Sequence, residues 1–308
     1  MEFITPTFEI WPQETKKDSL LESMWAHIAR CTRVCYQSEK KDNGESEEAF
    51  VKRVILRHEP LESEANHLSM LEHGTIYLKA HKISYKTMLY TNNKYSKVCI
   101  HEDAAYITTN LRVLIENDCL YDLQFMCVPT KYHPKRVTVS FTTNIGVTRE
   151  FNRHRVDSPS EESTRYCNYN RRNDGQIKIC LPAWFLNEEH LPYIESHQFD
   201  KLSSYCEEYL NDNSDINPEC WCDMDFYLFS LTVSEYCYNM LIKKGWKPQQ
   251  AREVLPLATK SQLVHTAFVD DWKHFFALRA DGVSGPVHPN ASLLAKPLKE
   301  EFIKLGLL

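Results

Sequence analysis

Residues 149–172 read REFNRHRVDSPSEESTRYCNYNRR and hold six arginines and one histidine. A guanidinium keeps its charge at physiological pH and offers five donors in a planar fork, a geometry that suits phosphate and carboxylate groups. The clustering of Arg149, Arg153-His154-Arg155, Arg165 and Arg171-Arg172 therefore indicates a binding site for an anionic, planar ligand.

A solvated surface of mutually paired charges is the alternative interpretation of this segment. Acids that would neutralise part of it are Glu150, Asp157, Glu161 and Glu162. Exposed pairs of this kind contribute only ~0–1 kcal/mol each. However, Val137, Val139 and Phe141 alternate with polar residues as in a strand, and binding residues are common in a charged loop that follows a buried strand. This context favours a ligand site.

The segment resembles the signature of the flavin-dependent thymidylate synthases, in which Arg-His-Arg is separated by seven residues from an essential serine. Arg153-His154-Arg155 and Ser163 match that signature. Residues 160–166 resemble the family's Asn-Glu-x-Ser-x-Arg-Tyr, with Ser160 where asparagine is usual. Leu71-Glu72-His73 is similar to a second family segment.

A third similarity covers Gln250–Leu257 and, further along the chain, His274–Arg279. The three similar segments follow one another in the family's order. The resemblance implies an α/β (α+β) fold in which one mixed-sheet domain with flanking helices spans residues 1–308. The 308 residues and 43% hydrophobic content are sufficient for one large core. A doubly wound dinucleotide-binding domain is not indicated, because no Gly-x-Gly-x-x-Gly follows a strand.

Residues 82–136 separate two segments that lie much closer together in the compact version of the family, so we interpret them as an insertion. The spacing of its central apolar residues predicts a helix around Ala104, Ala105, Ile107, Leu111, Leu114 and Ile115. Our hypothesis for this insertion is a flap or an added contact between subunits.

Apolar spacing predicts two amino-terminal helices with a polar loop, Lys40–Glu48, between them. Their buried faces are Leu21, Met24, Trp25 and Ile28 in the first and Phe50, Val51, Val54 and Ile55 in the second. Glu59-Pro60 is expected to end the second helix, and Thr75–Lys79 to form a short strand.

The carboxy-terminal pattern predicts a long helix over Phe226–Leu241 that ends at Gly245. Pro248 suits the first turn of the next helix, which would include Arg252 and stop at Pro256. A strand follows at Gln262–Val269, and Asp270 is predicted to cap a helix that reaches Arg279. The core residues expected on that helix are Trp272, Phe275, Phe276 and Leu278.

The activity implied by the resemblance is the reductive methylation of dUMP to dTMP. Carbon 5 of uracil must act as a nucleophile, which requires stabilisation of negative charge at N3 and O4 when no cysteine attacks carbon 6. By resemblance, Arg279 activates the uracil ring and Ser163 positions the substrate. A serine nucleophile is the less favoured interpretation, because the spacing suggests no histidine–acid pair.

The resemblance also assigns the ligand contacts. The residues expected at dUMP are Glu150, Arg153, Glu161, Ser163, Thr164, Arg165, Arg252 and Arg279, with Glu150 and Arg153 reaching the nucleotide from a neighbouring subunit. The residues expected at FAD are His73, Thr75, Arg153, His154, Arg155, Glu161 and His274. Phe268 and Asp270 depart from the asparagine and arginine that many relatives carry near the flavin.

Further expectations concern cosubstrates and assembly. The resemblance implies 5,10-methylenetetrahydrofolate as carbon donor, NADPH as reductant, release of tetrahydrofolate, and a homotetramer whose active site is shared between subunits. The net charge of −6 argues against a broad nucleic-acid surface.

The cysteines and the apolar runs bear on location and metals. Eleven scattered cysteines, with no leader, membrane-length apolar run or lipidation signal, lead us to expect thiols in the cytoplasm and no membrane association. The close pairs Cys31/Cys35 and Cys220/Cys222 lack a second pair at zinc-site spacing, and His67 and His73 are likewise unaccompanied, so no metal site is expected.

Two other functions are compatible with the motif. A flavoenzyme that methylates uracil in RNA, or another pyrimidine nucleotide, would use the same nucleotide site. A non-catalytic nucleotide- or RNA-binding protein would use the arginines to hold phosphates and Tyr166, Tyr169 and Arg171 to stack on bases.

Overall fold

The structure is a computed structural model that describes residues 1–15, 17–38, 44–56, 67–169, 176–187, 190–196, 219 and 221–308. The strands of the described part are β1 (Glu2–Ile4), β2 (Thr7–Trp11), β3 (Thr75–His81), β4 (Lys97–His101), β5 (Ala104–Asn110), β6 (Arg136–Asn144), β7 (Ser158–Glu161), β8 (Lys178–Cys180) and β9 (Lys260–Phe268).

Among the named strands, β1 and β8 pair in parallel, and the other pairs are antiparallel. Helices flank these strands, which confirms the predicted α/β fold. They are α1 (Leu20–Tyr36), α2 (Glu47–Ile55), α3 (Tyr85–Asn92), α4 (Leu111–Glu116), α5 (Ile145–Phe151), α6 (His190–Ser196), α7 (Asp223–Lys243), α8 (Pro248–Ala251), α9 (Val269–Arg279) and α10 (Pro289–Lys304).

An antiparallel sheet in the order β2-β6-β9-β7 carries the arginine segment. Side chains alternate between its two faces, because successive residues of a strand point in opposite directions. Val139, Phe141 and Leu263 lie in the apolar core beneath α9 and α10. The opposite face holds the hydroxyls of Thr138 and Thr266, which are direct partners in the β6–β9 register. One face of this sheet is thus mainly apolar, with His265 and Ser261 as buried polar exceptions, and the other contains the buried hydroxyls.

The helix α9 packs on the apolar face as predicted. Trp272, Phe275 and Phe276 are fully buried there, and burial of such side chains stabilises the fold by about 1.5–3 kcal/mol each. Leu278 is only half-buried. The predicted cap was wrong: Phe268 is the N-cap, and Asp270 lies in the first turn, where its charge still complements the helix dipole.

The segment 82–136 is not a flap. β5 pairs with both β3 and β4 in a three-stranded antiparallel sheet. Buried residues of the segment, Tyr90 of α3, Ile107 of β5 and Leu114 of α4, share one apolar core with α1 and α2. The predicted central helix was wrong for Ala104–Asn110, which form β5, because register pairing with β3 outweighs the helical spacing. Helix α4 begins only at Leu111.

The remaining predictions hold with small changes. The two amino-terminal helices, the strand after His73 and the long helix that ends before Gly245 (φ 92°) are confirmed. Arg252 was predicted to lie within the helix that begins at Pro248, but the observed helix α8 ends at Ala251. Arg252 begins a 3-10 turn that reaches Val254. Residues 40–43 of the predicted polar loop and the Glu59-Pro60 stop lie outside the described residues, and the end of that loop, Glu47 and Glu48, already belongs to α2.

Candidate active site

Helix α5 delivers the arginine segment from the end of β6. The Oδ1 atom of Asn144 accepts a hydrogen bond from the backbone N–H of Val147 at 2.9 Å, which caps the helix. Phe151 is fully buried at its other end and anchors the turn that follows. The chain then returns to the sheet as β7, so residues 149–161 are fixed at both ends.

A cavity of about 590 Å³ opens where this segment meets the turn after α8. Its lining residues are Cys35, Ile145, Arg149, Glu161, Glu162, Ser163, Thr164, Arg165, Arg252, Glu253, Leu255, Pro256 and Leu257. The cavity falls within the 300–1,000 Å³ range of small-molecule sites. It brings together five of the residues that sequence analysis assigned to the nucleotide: Glu161, Ser163, Thr164, Arg165 and Arg252.

Ser163 is held by the backbone and is not paired with a base. Its N–H donates to the carbonyl of Cys35 at 2.9 Å, and its Oγ accepts from the N–H of Arg165 at 3.3 Å. Arg252 donates from Nη1 to the Oγ1 of Thr164 at 3.3 Å. This arrangement suits the binding of an anion by hydroxyls and guanidinium groups, and within the described part of the chain no general base is hydrogen-bonded to Ser163 Oγ.

The acids of the cavity are engaged by the chain itself. Glu161 accepts hydrogen bonds from Thr148 Oγ1 at 2.6 Å, Asn152 Nδ2 at 2.9 Å and Ser261 Oγ at 3.1 Å. Glu162 accepts from Lys260 Nζ at 2.6 Å. Lys260 neutralises Glu162, and Glu161 is held by neutral donors. Arg149, Arg165 and Arg252 also line the cavity and supply cations for an anionic ligand.

Arg279 lies in a second group of residues, at the end of α9. Its Nη1 and Nη2 donate to the side chain and the carbonyl of Glu150, at 3.1 and 2.7 Å. Its Nε donates to His154 Nε2 at 3.3 Å. Burial, with a smaller effect of Arg279, lowers the pKa of His154 to about 4. A neutral His154 therefore accepts through Nε2 and carries its proton on Nδ1.

Exposed cations surround this second group. Arg153 and Arg155 are exposed on either side of His154, and the exposed His274 has its ring 5.9 Å from that of His154. Two guanidinium groups beside an imidazole suit a ligand that combines a pyrophosphate with planar rings.

His73 and Thr75 lie apart from both groups, in the interior. His73 is 0% exposed, and its Nδ1 is 2.8 Å from the Oγ1 of Thr266. Thr75 accepts a hydrogen bond from Arg136 Nη1 at 3.2 Å. In one chain, the structure thus divides the predicted site residues among a cavity, a group around Arg279 and a buried polar cluster.

Arg279, Glu150 and Arg153 do not line the cavity that contains Ser163 and Arg252. The hydrogen bonds to Glu150 hold Arg279 on its own side of the arginine segment.

Sequence analysis missed several polar residues of the site. Thr148, Asn152 and Ser261 orient Glu161, and His265 Nδ1 lies 3.1 Å from Asp157 Oδ2 in the interior beside Asn152. Burial lowers the pKa of Arg136 to about 10. For Arg136, Ser261 and His265, the signal available was a polar residue within β6 or β9, because a strand buried on both faces does not otherwise need one. Thr148 and Asn152 lie outside these strands.

Other predictions were tested only in part. Tyr166 is exposed, but Tyr169 is buried and cannot stack on a base, and Arg171 lies outside the described residues. The cysteines of the described part carry free thiols. Within the same residues, no group of three His, Cys, Asp or Glu side chains is placed to hold a metal ion. None of the helices described is both long and apolar enough to cross a membrane.

Comparison with known proteins identifies a family whose profile matches the chain. The profile of a family described as thymidylate synthase complementing protein matches residues 135–304, more than half of the chain. No curated protein sequence matches significantly.

Two solved structures align along almost the whole chain. The UMP/dUMP methylase PolB from Streptomyces cacaoi, bound with 5-Br dUMP, aligns with a TM-score of 0.41 and 16% identity over 99% of this chain and 93% of the other. Thymidylate synthase X from Helicobacter pylori, with FAD and dUMP, aligns with a TM-score of 0.36 and 15% identity over 96% and 91%.

Proposed function

Because the chain belongs to the thymidylate synthase complementing protein family, we propose that it is a flavin-dependent thymidylate synthase that converts dUMP to dTMP. The carbon donor in this proposal is 5,10-methylenetetrahydrofolate, the reductant is NADPH, and the hydride carrier is FAD. The observation that carries the proposal is the arginine-lined cavity around Ser163, which lies within the matched segment.

The cavity supplies the groups that a nucleotide phosphate and sugar need. Arg165 and Arg252 provide fixed cations, and the hydroxyls of Ser163 and Thr164 donate or accept according to the ligand. Glu161 is held by three donors, so its carboxylate has a fixed orientation toward the cavity. We assign Ser163 to positioning the nucleotide and not to covalent attack.

Arg279 is proposed to activate the uracil. Three of its five donors are used by Glu150 and His154, which fixes the plane of the guanidinium and leaves the remaining N–H groups for a ligand. A permanent cation against N3 and O4 stabilises the charge that must develop when carbon 5 becomes nucleophilic. Removal of one such donor typically raises a barrier by about 2.7–4 kcal/mol.

The residues around His154 fit FAD. Arg153 and Arg155 would hold its pyrophosphate, and the exposed His274 beside the neutral His154 would contact its rings. When bound, the flavin supplies the hydride that completes the methyl group. His73 and Thr75, which the resemblance also places at FAD, are buried here, so their proposed contact requires the surrounding side chains to move.

We also propose that the protein is a cytoplasmic homotetramer with an active site shared between subunits. Arg279, Glu150 and Arg153 are not among the residues that line the cavity, and this supports the assembly, because a second subunit would bring such residues to a nucleotide bound there. In this proposal Ser163 and Arg252 of one subunit face Glu150, Arg153 and Arg279 of another.

The test is chromatographic detection of dTMP formed by flavin-stripped protein from dUMP, methylenetetrahydrofolate and NADPH, with and without added FAD. Product that depends on FAD supports the proposal. A parallel reaction with UMP, and one with uracil-containing RNA, identifies the substrate. Methylation of UMP or RNA in preference to dUMP would overturn the thymidylate assignment, and absence of any methylated product would overturn the enzymatic one.

A further inference from the structure

A continuous chain of hydrogen bonds crosses the polar face of the four-stranded sheet. The Nε2 atom of His27, in α1, lies 2.9 Å from the Oγ1 of Thr138 on β6. Thr138 Oγ1 is 2.7 Å from Thr266 Oγ1 on β9, and Thr266 Oγ1 is 2.8 Å from His73 Nδ1. Two histidines are thus joined through two hydroxyls.

The two ends of this chain differ. His27 lines a cavity of about 370 Å³ whose other polar lining residues include Gln13, Glu14, Glu22 and Arg30. This volume is ample for water molecules, which need polar partners of this kind. At the other end, the Nε2 of His73 is buried and has no hydrogen-bond partner within the described residues. A buried ring nitrogen without a partner is costly unless a ligand or water meets it.

Both histidines are neutral at physiological pH. Burial lowers the pKa of His27 to about 4 and lowers the pKa of His73 well below its usual value. Each ring therefore carries one proton, on either Nδ1 or Nε2, and each can donate at one nitrogen and accept at the other.

Counting protons leaves two fully satisfied arrangements. In the first, both rings carry the proton on Nε2, and the hydrogen bonds run from His27 through Thr138 and Thr266 to His73. In the second, both rings carry it on Nδ1, and every bond is reversed. The two nitrogens that face the hydroxyls are His27 Nε2 and His73 Nδ1. If both accept, the short contact between Thr138 and Thr266 has no proton. If both donate, one buried hydroxyl proton has no acceptor.

We propose that His27, Thr138, Thr266 and His73 form a proton relay between the cavity at His27 and a ligand at His73. In one transfer, His27 Nδ1 takes a proton from a hydronium ion of solvent that enters the cavity, which leaves a water molecule, and His27 Nε2 passes its proton to Thr138. Thr138 passes its own proton to Thr266, Thr266 passes its own to His73 Nδ1, and His73 Nε2 releases a proton to a basic ring nitrogen of a nitrogen-heteroaromatic ligand. One proton enters, one leaves, and each residue stays neutral.

The ligand at His73 rests on the proposed function, in which FAD contacts His73 once the surrounding side chains have moved, whereas the relay rests on the four residues alone. His27, Thr138 and Thr266 are positioning residues in this scheme, since they act through His73. The relay couples the tautomers of two rings on different elements, α1 and the turn Leu68–His73. A static network of the same four residues would also favour matched tautomers, so the tautomers test whether the chain of hydrogen bonds exists, and turnover tests proton transfer along it.

The first test is nitrogen-15 NMR of sedimented, ligand-free protein labelled at histidine, with His27→Gln and His73→Gln used to assign the two rings. We expect His27 and His73 to show the same tautomer in the wild type. Thr138→Val keeps the shape of the side chain and removes one of the two hydroxyls between the rings. It should therefore leave the two rings with unmatched tautomer populations. Thr266→Val should have the same effect and serves if Thr138→Val does not fold.

The matched control is Thr143→Val. Thr143 lies on the same strand, is fully buried, and has a hydroxyl without a hydrogen-bond partner in the described part of the chain. It should leave both tautomers as in the wild type. Unmatched tautomers in the wild-type protein, or matched populations that survive both Thr138→Val and Thr266→Val, would overturn the relay.

The second test is turnover of the FAD-loaded protein. We expect Thr138→Val to lower dTMP formation roughly 10²-fold, the lower end of what a positioned proton transfer contributes, while Thr143→Val keeps the wild-type rate. Normal turnover in Thr138→Val would overturn the transfer of a reaction proton. If the wild type itself forms no dTMP, the proposed function fails, and unmatched tautomers would still overturn the relay independently of that result.

Discussion

At the scale of single residues, the ion pair between Arg279 and Glu150 distinguishes an ordinary helix-end arginine from one arranged for a ligand. A cation at a helix C-terminus contributes only about 0.3–1 kcal/mol by complementing the dipole. Here the guanidinium is instead fixed by a carboxylate, a carbonyl and a neutral imidazole. Those contacts fix its plane while part of it remains accessible.

We therefore expect Arg279→Ala to reduce dTMP formation by 10²-fold or more, since one donor to developing charge is worth about 2.7–4 kcal/mol. Bound flavin, measured by absorbance after gel filtration, should persist. The matched control is Lys299→Ala, which removes an exposed pair with Asp281 (2.7 Å) and should leave turnover unchanged. Normal methylation by Arg279→Ala would show that the uracil is activated elsewhere.

His27 predicts a dependence of stability on pH. Its pKa is about 4 in the folded protein, mainly because of burial and then because of Arg30, against 6.5 when exposed. Below pH 6.5 His27 becomes protonated in the unfolded state but stays neutral in the folded state. The contribution of His27 to the unfolding free energy is therefore present above pH 6.5 and is lost as pH falls toward 4.

His27→Gln should therefore reduce the loss of unfolding free energy between about pH 7 and pH 5 by about 2 kcal/mol. Urea unfolding at both pH values measures it. His154 has a similarly lowered pKa and titrates in both proteins, so only the difference between the two slopes is informative. Identical slopes would show that His27 is not held neutral by the fold.

At the scale of elements, two asparagines make the same capping contact on different helices. Asn144 accepts from the N–H of Val147 at 2.9 Å and begins α5, which leads into the arginine segment. Asn110 accepts from the N–H of Val113 at 3.1 Å and begins α4, in the segment 82–136.

Replacement of either by alanine should lower the unfolding free energy by about 0.5–2 kcal/mol. Only Asn144→Ala should also weaken dUMP binding, measured by calorimetry, because α5 orients Arg149 and the turn after it. Equal dUMP affinity in the two variants would mean that the arginine segment is positioned without its helix cap.

The segment 82–136 is an element of the core and not an appendage. Leu114 is fully buried among residues of α1, α2 and the three-stranded sheet. Leu114→Ala should destabilise the protein by about 2–5 kcal/mol. Because the segment shares that core, fluorescence and far-ultraviolet circular dichroism should report the same lowered midpoint in urea. A separate transition confined to one probe would show that the segment folds as a unit of its own.

At the scale of the whole molecule, the division of the site residues predicts complementation between inactive variants. Ser163→Ala lacks a residue of the cavity, and Arg279→Ala lacks the proposed uracil contact. If one active site combines the two groups from different subunits, co-expression of the variants assembles some intact sites. Random mixing gives about a quarter of the wild-type number.

The measurement is dTMP formation by co-expressed, differently tagged variants purified through both tags, with each variant alone as the background. Activity near a quarter of wild type supports a shared site. Activity no higher than that of the separate variants would place Ser163 and Arg279 in a site built by one chain. Sedimentation gives the number of subunits independently of either result.

Much of the fold follows from local patterns in the sequence. The alternation Val137, Val139, Phe141 predicted β6, and the spacing of Trp272, Phe275 and Phe276 predicted the buried face of α9. Periodicity was misleading at Ala104–Asn110, where the apolar spacing was compatible with a helix and only pairing with β3 determined a strand. Local spacing contains no information about which distant strand is available.

By itself, the sequence determined the family resemblance, the α/β class and the cluster of guanidinium groups, because these depend on residue order and local period. Only the tertiary structure separated Arg279 from the cavity around Ser163, buried His73 and Thr75, and joined His27 to His73 across two strands. Such contacts link residues far apart in the chain, and their geometry depends on sheet register and helix packing, which no single segment encodes.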